Sequence, residues 1–214
     1  AMTVPRHIAV LDIGKTNVKL VLVDTEALAE RQVLSRANRV LPGPPYPHYD
    51  TDGIWAFLID GLRTLHAEAR IDAVTVTGHG ASGVLLAANG GLAAPVIDYE
   101  FDGPDALASD YDAIRPAFAE TGSPRLPRGL NVGAQIHWQM ARDPGLVARV
   151  AQFVTWPQYW VGRLTGRYVC EVSSLGAHTD LWNPHERRFS PLVDRLGLSG
   201  RMAPLAPASQ VIGT

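Results

Sequence analysis

The feature that most constrains this chain is an apolar run, Ile8-Ala9-Val10-Leu11-Asp12-Ile13, that breaks at Gly14-Lys15-Thr16-Asn17 and resumes over Val18–Asp24. A short continuous apolar run predicts a buried strand, and the β-branched, weakly alternating VKLVLVD predicts a second. The unit is therefore strand, turn, strand. An acid, Asp12, leaves the first strand, and Gly14 lets the backbone turn close to a ligand. Amides and hydroxyls at Thr16 and Asn17 are placed to contact phosphate oxygens, as in an anion-binding nest. Asp12 is a candidate ligand for Mg2+, directly or through water, because that ion keeps several waters. Lys15 or Lys19 would offset phosphate charge. The same spacing also describes a plain hairpin whose polar turn is capped by its Asp.

Two motifs invite other readings. Gly14-Lys15-Thr16 suggests a P-loop, but the position five residues earlier, which must be glycine, is Ala9, and a strand follows where a helix is needed. Gly78-His79-Gly80-Ala81-Ser82-Gly83 matches a dinucleotide fingerprint, with Asp98 twenty residues beyond Gly78. Yet Val84–Ala88 predicts a strand, so no helix N-terminus is available to receive a pyrophosphate.

Along the chain, Gln32–Leu41 predicts a third strand, followed by a Pro-rich loop over 42–47. Asp52 is a candidate cap for a helix over 53–69, with Ile54, Phe57, Leu58, Gly61, Leu62 and Leu65 on one face. Ile71–Thr77 predicts a strand. Asn89-Gly90-Gly91 is a hairpin signal joining Val84–Ala88 to Ala94–Asp98. Helical spacing recurs over Asp105–Thr121 and Val132–Ala141. Phe153–Thr155 is short and apolar, and Pro157 suits the first turn of a helix that stops at Gly166. Pro191–Leu196 predicts one more short helix, and from Arg201 the Pro- and Ala-rich chain is expected to be a linker.

Composition narrows the function classes. Of 214 residues 46% are hydrophobic and 19% charged, enough for a real core and against wholesale disorder. Net charge is 19 − 21 = −2 without a basic block, so phosphate neutralisation of a nucleic acid has no support. No apolar run approaches the ~18 residues of a membrane span. The chain opens on a strand rather than a signal core, and Ala1, ahead of Met2, is read as a cloning remnant. Cys170 is the one cysteine, expected to be a packing residue in a reducing, cytoplasmic setting. His7, His48, His66, His137, His178 and His185 show no ligand spacing for zinc. Trp138, Trp156, Tyr159 and Trp160 are expected in the core or a lobe interface. Asp50 and Asp52 suit loop solvation and capping better than a glycosidase pair.

LDIGKTNVKLVLVD resembles the first phosphate motif of the actin–hexokinase–Hsp70 superfamily and, more narrowly, of the FGGY carbohydrate kinases. Other segments follow in the family's order: His48–Asp52 with Trp55; IDAVTVTGHGASGVLLAANGGLAAPVI as strand, sugar loop and hairpin; Phe153–Gly166 with Leu164-Thr165-Gly166; and Glu171–Leu181. The resemblance covers nearly the whole chain. It implies an α/β, ribonuclease-H-like (actin-like ATPase) lobe, a mixed sheet flanked by helices. Residues 2–214 would be the N-terminal sugar-binding lobe of a two-lobe kinase, with the C-terminal nucleotide-binding lobe absent. It also implies ATP and Mg2+ as cofactors and phosphoryl transfer to a ketose or polyol hydroxyl. No nucleic acid or membrane partner is implied, and a homodimer is compatible with it.

Carried over residue by residue, Asp12 is the catalytic and metal-binding acid. Gly14, Lys15, Thr16, Asn17 and Lys19 bind phosphate, and His79, Gly80, Ser82 and Asp102 bind substrate. His79, between two glycines, has no local side chain to pack against, although a plain turn histidine fits the same place. Departures leave the sugar open. Ser82 stands where fuculose and rhamnulose kinases carry Asp, and Ala81 where xylulose kinases carry His. Glycerol kinases carry an Arg-Glu pair near Gly80 and Ala81. Gln135 stands where a Lys precedes the Trp, here Trp138, by three, and Gln158 replaces an acid. Tyr99 and Asp102 occupy the stretch where the family has Trp with Asp and Arg. The family's general base lies beyond Thr214, so this chain by itself is expected to have negligible kinase activity. A non-catalytic actin-like module that binds a ligand or partner is the alternative.

Overall fold

The computed structural model describes residues 4–214; Ala1, read above as a cloning remnant, lies outside the described residues. In chain order the elements are β1 (His7–Ile13), β2 (Asn17–Asp24), β3 (Ala29–Ala37), β4 (Val40–Leu41), β5 (His48–Tyr49), α1 (Thr51–Glu68), β6 (Ala73–Gly78) and β7 (Gly83–Leu86). A 3-10 turn over Gly103–Leu107 leads to α2 (Ala108–Ile114), α3 (Phe118–Thr121), α4 (Val132–Arg142), α5 (Leu146–Arg149) and β8 (Gln152–Thr155). The chain ends with α6 (Trp156–Thr165), α7 (Val172–Leu175), β9 (Trp182–Asn183), β10 (Arg188–Phe189) and α8 (Leu192–Arg195). Two compact units result. The first runs to Leu41 and resumes over Tyr49–His79, and the second comprises Pro42–His48 and Gly80–Thr214.

In the first unit a four-stranded mixed sheet has the order β3-β2-β1-β6. β1 and β2 are antiparallel, with Leu11 opposite Leu20 and Asp12 opposite Lys19, whereas β1 and β6 are parallel. Alternation sends Ala9, Leu11 and Ile13 of β1 and Val18, Leu20 and Leu22 of β2 to one fully buried face. α1 covers that face with Thr51, Ile54, Leu58, Gly61 and Leu65, whose 3-4-3-4 spacing is one stripe of a helix. Gly61 permits close approach, since a Cβ there would lie 2.8 Å from a Leu20 methyl. Burying Ile54, Leu58 and Leu65 contributes roughly 1.5–3 kcal/mol each.

The cap of α1 is Asp50 rather than Asp52. Its Oδ1 accepts from the Gly53 amide at 2.9 Å, and its Oδ2 accepts from Arg36 Nη2 at 2.7 Å. A capping side chain must stand outside the first turn, and Asp52 is already inside it, where its charge suits the helix dipole. β3 ends at Ala37, short of the expected Leu41, because its partner β2 begins only at Asn17; the bond from Asn38 N to Thr16 O at 2.9 Å continues the register one step, and beyond it the partner chain turns away.

In the second unit β7 and β8 pair antiparallel, Gly83 opposite Thr155 and Leu86 opposite Gln152. Their side chains join the buried Trp156 and Trp160 of α6, as expected of the tryptophans. α6 closes at Gly166 in the left-handed region at φ 74°. The strand at Gly83 removes the dinucleotide reading, and the strand after Asn17 removes the P-loop. The hairpin at Asn89–Gly91 returns through Leu92 and Ala93, with Ala93 N bonding Leu85 O at 2.8 Å, while Ile97 bridges to His48. Ala94–Asp98 is therefore not the partner strand. The helix expected over 105–121 is three short pieces, because Pro116 lacks an N–H and Arg115 before it is extended at ψ 149°. The expected linker is also corrected. Phe153 N donates to Arg201 O, Ala203 N to Phe153 O and Ala206 N to Cys170 O, which buries Ala203 and Ala206. Cys170 is fully buried, and burial pushes its thiol up to about 12, the behaviour of a packing residue.

Asp180 knits the second unit together from a fully buried position. Its carboxylate accepts from Arg115 Nε at 3.0 Å, Tyr111 Oη at 2.7 Å and Asn131 Nδ2 at 3.0 Å. A buried charge without such partners would cost several kcal/mol. Asn131 in turn caps α4 through Ala134 N at 3.1 Å.

Asp50 gives a pH-dependent prediction. Burial pushes its carboxyl up, but the Arg36 and Gly53 hydrogen bonds and the Arg36 and Arg39 charges outweigh that and hold it below the usual range. A depressed folded pKa means a contribution present above the unfolded value of about 3.9 and lost as pH falls through the folded value. Asp50→Ala should cost about 1–2 kcal/mol at pH 7 by urea unfolding, with the deficit shrinking below about pH 4.

Candidate active site

The turn after β1 is built by register. Ile13 pairs with Val18, leaving residues 14–17 to reverse the chain. Gly14 N donates to Asn17 O at 3.0 Å, and a Cβ at Gly14 would lie 2.9 Å from that same oxygen, so the turn closes only around glycine. Asn38 clamps it from β3: its Nδ2 donates to Gly14 O at 2.8 Å and its backbone amide to Thr16 O at 2.9 Å. Thr16 and Asn17 are left exposed.

Asp12 lies between the buried Leu11 and Ile13, so its carboxylate is on the sheet face opposite α1, half-buried. Its cross-strand neighbours on that face are Lys19 of β2 and Thr77 of β6, and Lys19 is opposite Ser35 of β3. An acid, a lysine and two hydroxyl residues thus form one row across the sheet, next to the turn. The flanking strands are paired edge to edge, and Asp12 is not sealed in the core.

Lys15 and His79 meet on a third residue. Lys15 Nζ is 5.4 Å from the Tyr49 ring centroid, and the His79 ring is 5.7 Å from it at 42°. The parallel register of Ile13 with Gly78 explains this, because Gly14–Lys15 and His79 leave adjacent strands at one level.

In the second unit Gly80 packs against Ala177, where a Cβ would come within 3.1 Å of the alanine methyl. Ser82 is buried; its carbonyl accepts from Trp156 N at 3.2 Å, and its hydroxyl has no hydrogen-bond partner among the described residues. Gln135 holds this loop from the first turns of α4. Its Nε2 donates to Ala81 O at 2.6 Å and also to Gly129 O, and Gly83 N donates to its Oε1 at 3.5 Å. Asp102 is exposed at the start of the 3-10 turn, and no hydrogen bond among the described residues ties it to the Gly80–Ser82 loop. The buried acid of that stretch is Asp98.

Among the described residues no three His, Cys, Asp or Glu gather as a metal cluster. Sequence reasoning missed Asn38, Tyr49 and Asp180, whose side-chain contacts described above reach 24 to 69 residues along the chain, and it noted Gln135 without its role. Gln135 generates a prediction. Replacement by Leu would leave the buried Ala81 and Gly129 carbonyls unpaired. Gln135→Leu should destabilise the protein by about 2–4 kcal/mol in urea unfolding.

The FGGY family of carbohydrate kinases, N-terminal domain, matches residues 7–214. An L-fuculokinase of Salmonella typhi is 26% identical over 97% of this chain and 45% of its own length. A carbohydrate kinase from Novosphingobium aromaticivorans is 38% identical with a TM-score of 0.85 over 92% of this chain and 42% of its own. A ligand-bound xylulose kinase from Lactobacillus acidophilus superposes with a TM-score of 0.80 at 17% identity, over 94% of this chain and 42% of its own, and shares the fold. The chain thus spans under half the length of these relatives. The mixed sheet with its flanking helices is the actin-like ATPase architecture. The chain belongs to the FGGY family of carbohydrate kinases and corresponds to that family's N-terminal domain.

Proposed function

We propose that this chain is the sugar-binding lobe, with the first phosphate motif, of an enzyme that transfers the terminal phosphoryl group of ATP to a ketose or polyol hydroxyl. The observation that carries the reading is Asp12 on the open sheet face beside a glycine-closed turn. Relatives named as an L-fuculokinase and a xylulose kinase support a sugar acceptor. A C-terminal lobe would complete the enzyme and supply the general base. A cytoplasmic setting fits the lone buried cysteine.

The residues fit Mg2+ and ATP. Gly14 lets the turn close, Thr16 and Asn17 offer exposed polar groups on it, and Asp12 supplies the hard oxygen that Mg2+ prefers. When bound, MgATP supplies the phosphoryl group. Asp12 would hold the metal directly or through water, the turn would orient phosphate oxygens, and Lys15 and Lys19 would offset their charge. His79, Gly80, Ser82 and Asp102 would bind the acceptor. The lobe's contribution is positioning and charge neutralisation, which dominate phosphoryl transfer.

The test is a phosphotransfer assay across ketoses and polyols with the full-length protein. Asp12→Ala should lower turnover by about 10²–10³-fold with its unfolding midpoint unchanged. Undiminished turnover in that variant would remove Asp12 from the reaction. A well-folded wild type that phosphorylates no sugar would favour a binding module.

A further inference from the structure

Tyr49 is buried, 2% exposed, at the boundary between β5 and α1. An aliphatic side chain would fill the core there equally well, but it would offer no π face. The face is in use on two sides: the Lys15 ammonium stands 5.4 Å from the ring centroid and the His79 imidazole 5.7 Å from it. The ring itself is held through the next residue. Asp50 bonds Gly53 N and Arg36 with its side chain, and its amide donates to Arg39 O at 3.4 Å.

We propose that Tyr49 is a positioning residue, its ring locking Lys15 of the phosphate turn and His79 of the sugar loop into one fixed arrangement. This deepens the kinase reading and rests on it. A lysine has a flexible four-carbon stem and many rotamers, and an aromatic face narrows them by attracting the cation to the ring quadrupole. An imidazole packed on the same ring loses its own freedom. The two groups proposed to meet donor and acceptor then share one rigid reference. A displacement of about 1 Å between reacting partners is enough to slow a transfer about a hundredfold.

The test uses the full-length protein with Tyr49→Phe, Tyr49→Leu, Lys15→Met and the Leu–Met double variant. Tyr49→Phe keeps the face and should stay within about twofold of wild type. Tyr49→Leu should lower kcat about tenfold while KM for sugar and for ATP change less than about threefold, the signature of lost alignment rather than lost binding. Because Lys15 acts through the ring, the double variant should be no more than about twofold worse than the weaker single one. Equal losses in Phe and Leu, an unimpaired Leu variant, or losses that multiply would each overturn the proposal. Proton cross-relaxation in the wild type keeps it falsifiable if Tyr49→Leu fails to fold. The Tyr49 ring protons should show contacts to the Lys15 ε-protons and to the His79 ring, and a missing contact to either overturns it. The two readings fail separately. An inactive wild type with both contacts removes the kinase and keeps the shared ring, whereas an active one without them removes only the Tyr49 role.

Discussion

The antiparallel register of β1 with β2 is the constraint from which the site follows. Ile13 opposite Val18 fixes a reversal of four residues, and a reversal that tight brings the Asn17 carbonyl where a Cβ at position 14 would sit. Glycine is therefore demanded by geometry before any ligand is considered. The same register sends Leu11 and Ile13 into the core and leaves Asp12 on the other face, level with Lys19. A slip of one residue would bury the acid and expose the leucines, so hydrophobic burial against α1 also specifies the placement of the charge.

Polar side chains reaching over long sequence distances then hold each loop in place. Asn38 ties the turn to the end of β3, and Gln135 ties Ala81 and Gly83 to α4. Asp180 fixes α4 through Asn131, the residue that caps it. These bonds lie in partly or fully buried surroundings, where a missing partner leaves a desolvated group behind. The loops owe their shape to side chains outside them, which is how a flexible segment becomes a preorganised one.

How much was readable follows from range. β1, β2, β6, α1, α4 and α6 were legible because each announces itself within its own span, by an apolar run, a 3-4 stripe or a cap. The misplacements have local causes that local patterns underweight. Asp50 outcompeted Asp52 because the cap sits outside the first turn, Pro116 broke a helical spacing, and β3 ran out of partner where β2 begins at Asn17. The tail from Arg201 looked like a linker by composition, yet its backbone pairs with Phe153 and Cys170. Composition reports the lack of a large apolar face but not a strand-like pairing that needs none.

By itself the sequence determined the strand–turn–strand unit, its acid and glycine, the order of the elements and the resemblance they carry, because those depend on neighbours a few residues apart. Tertiary structure alone decided that Tyr49 is the shared face of Lys15 and His79, that Gln135 and Asn38 are clamps, and that Asp180 is a buried hub. Those assignments arise from contacts between distant segments, brought together only when strands pair and helices pack, and no local pattern encodes such a meeting.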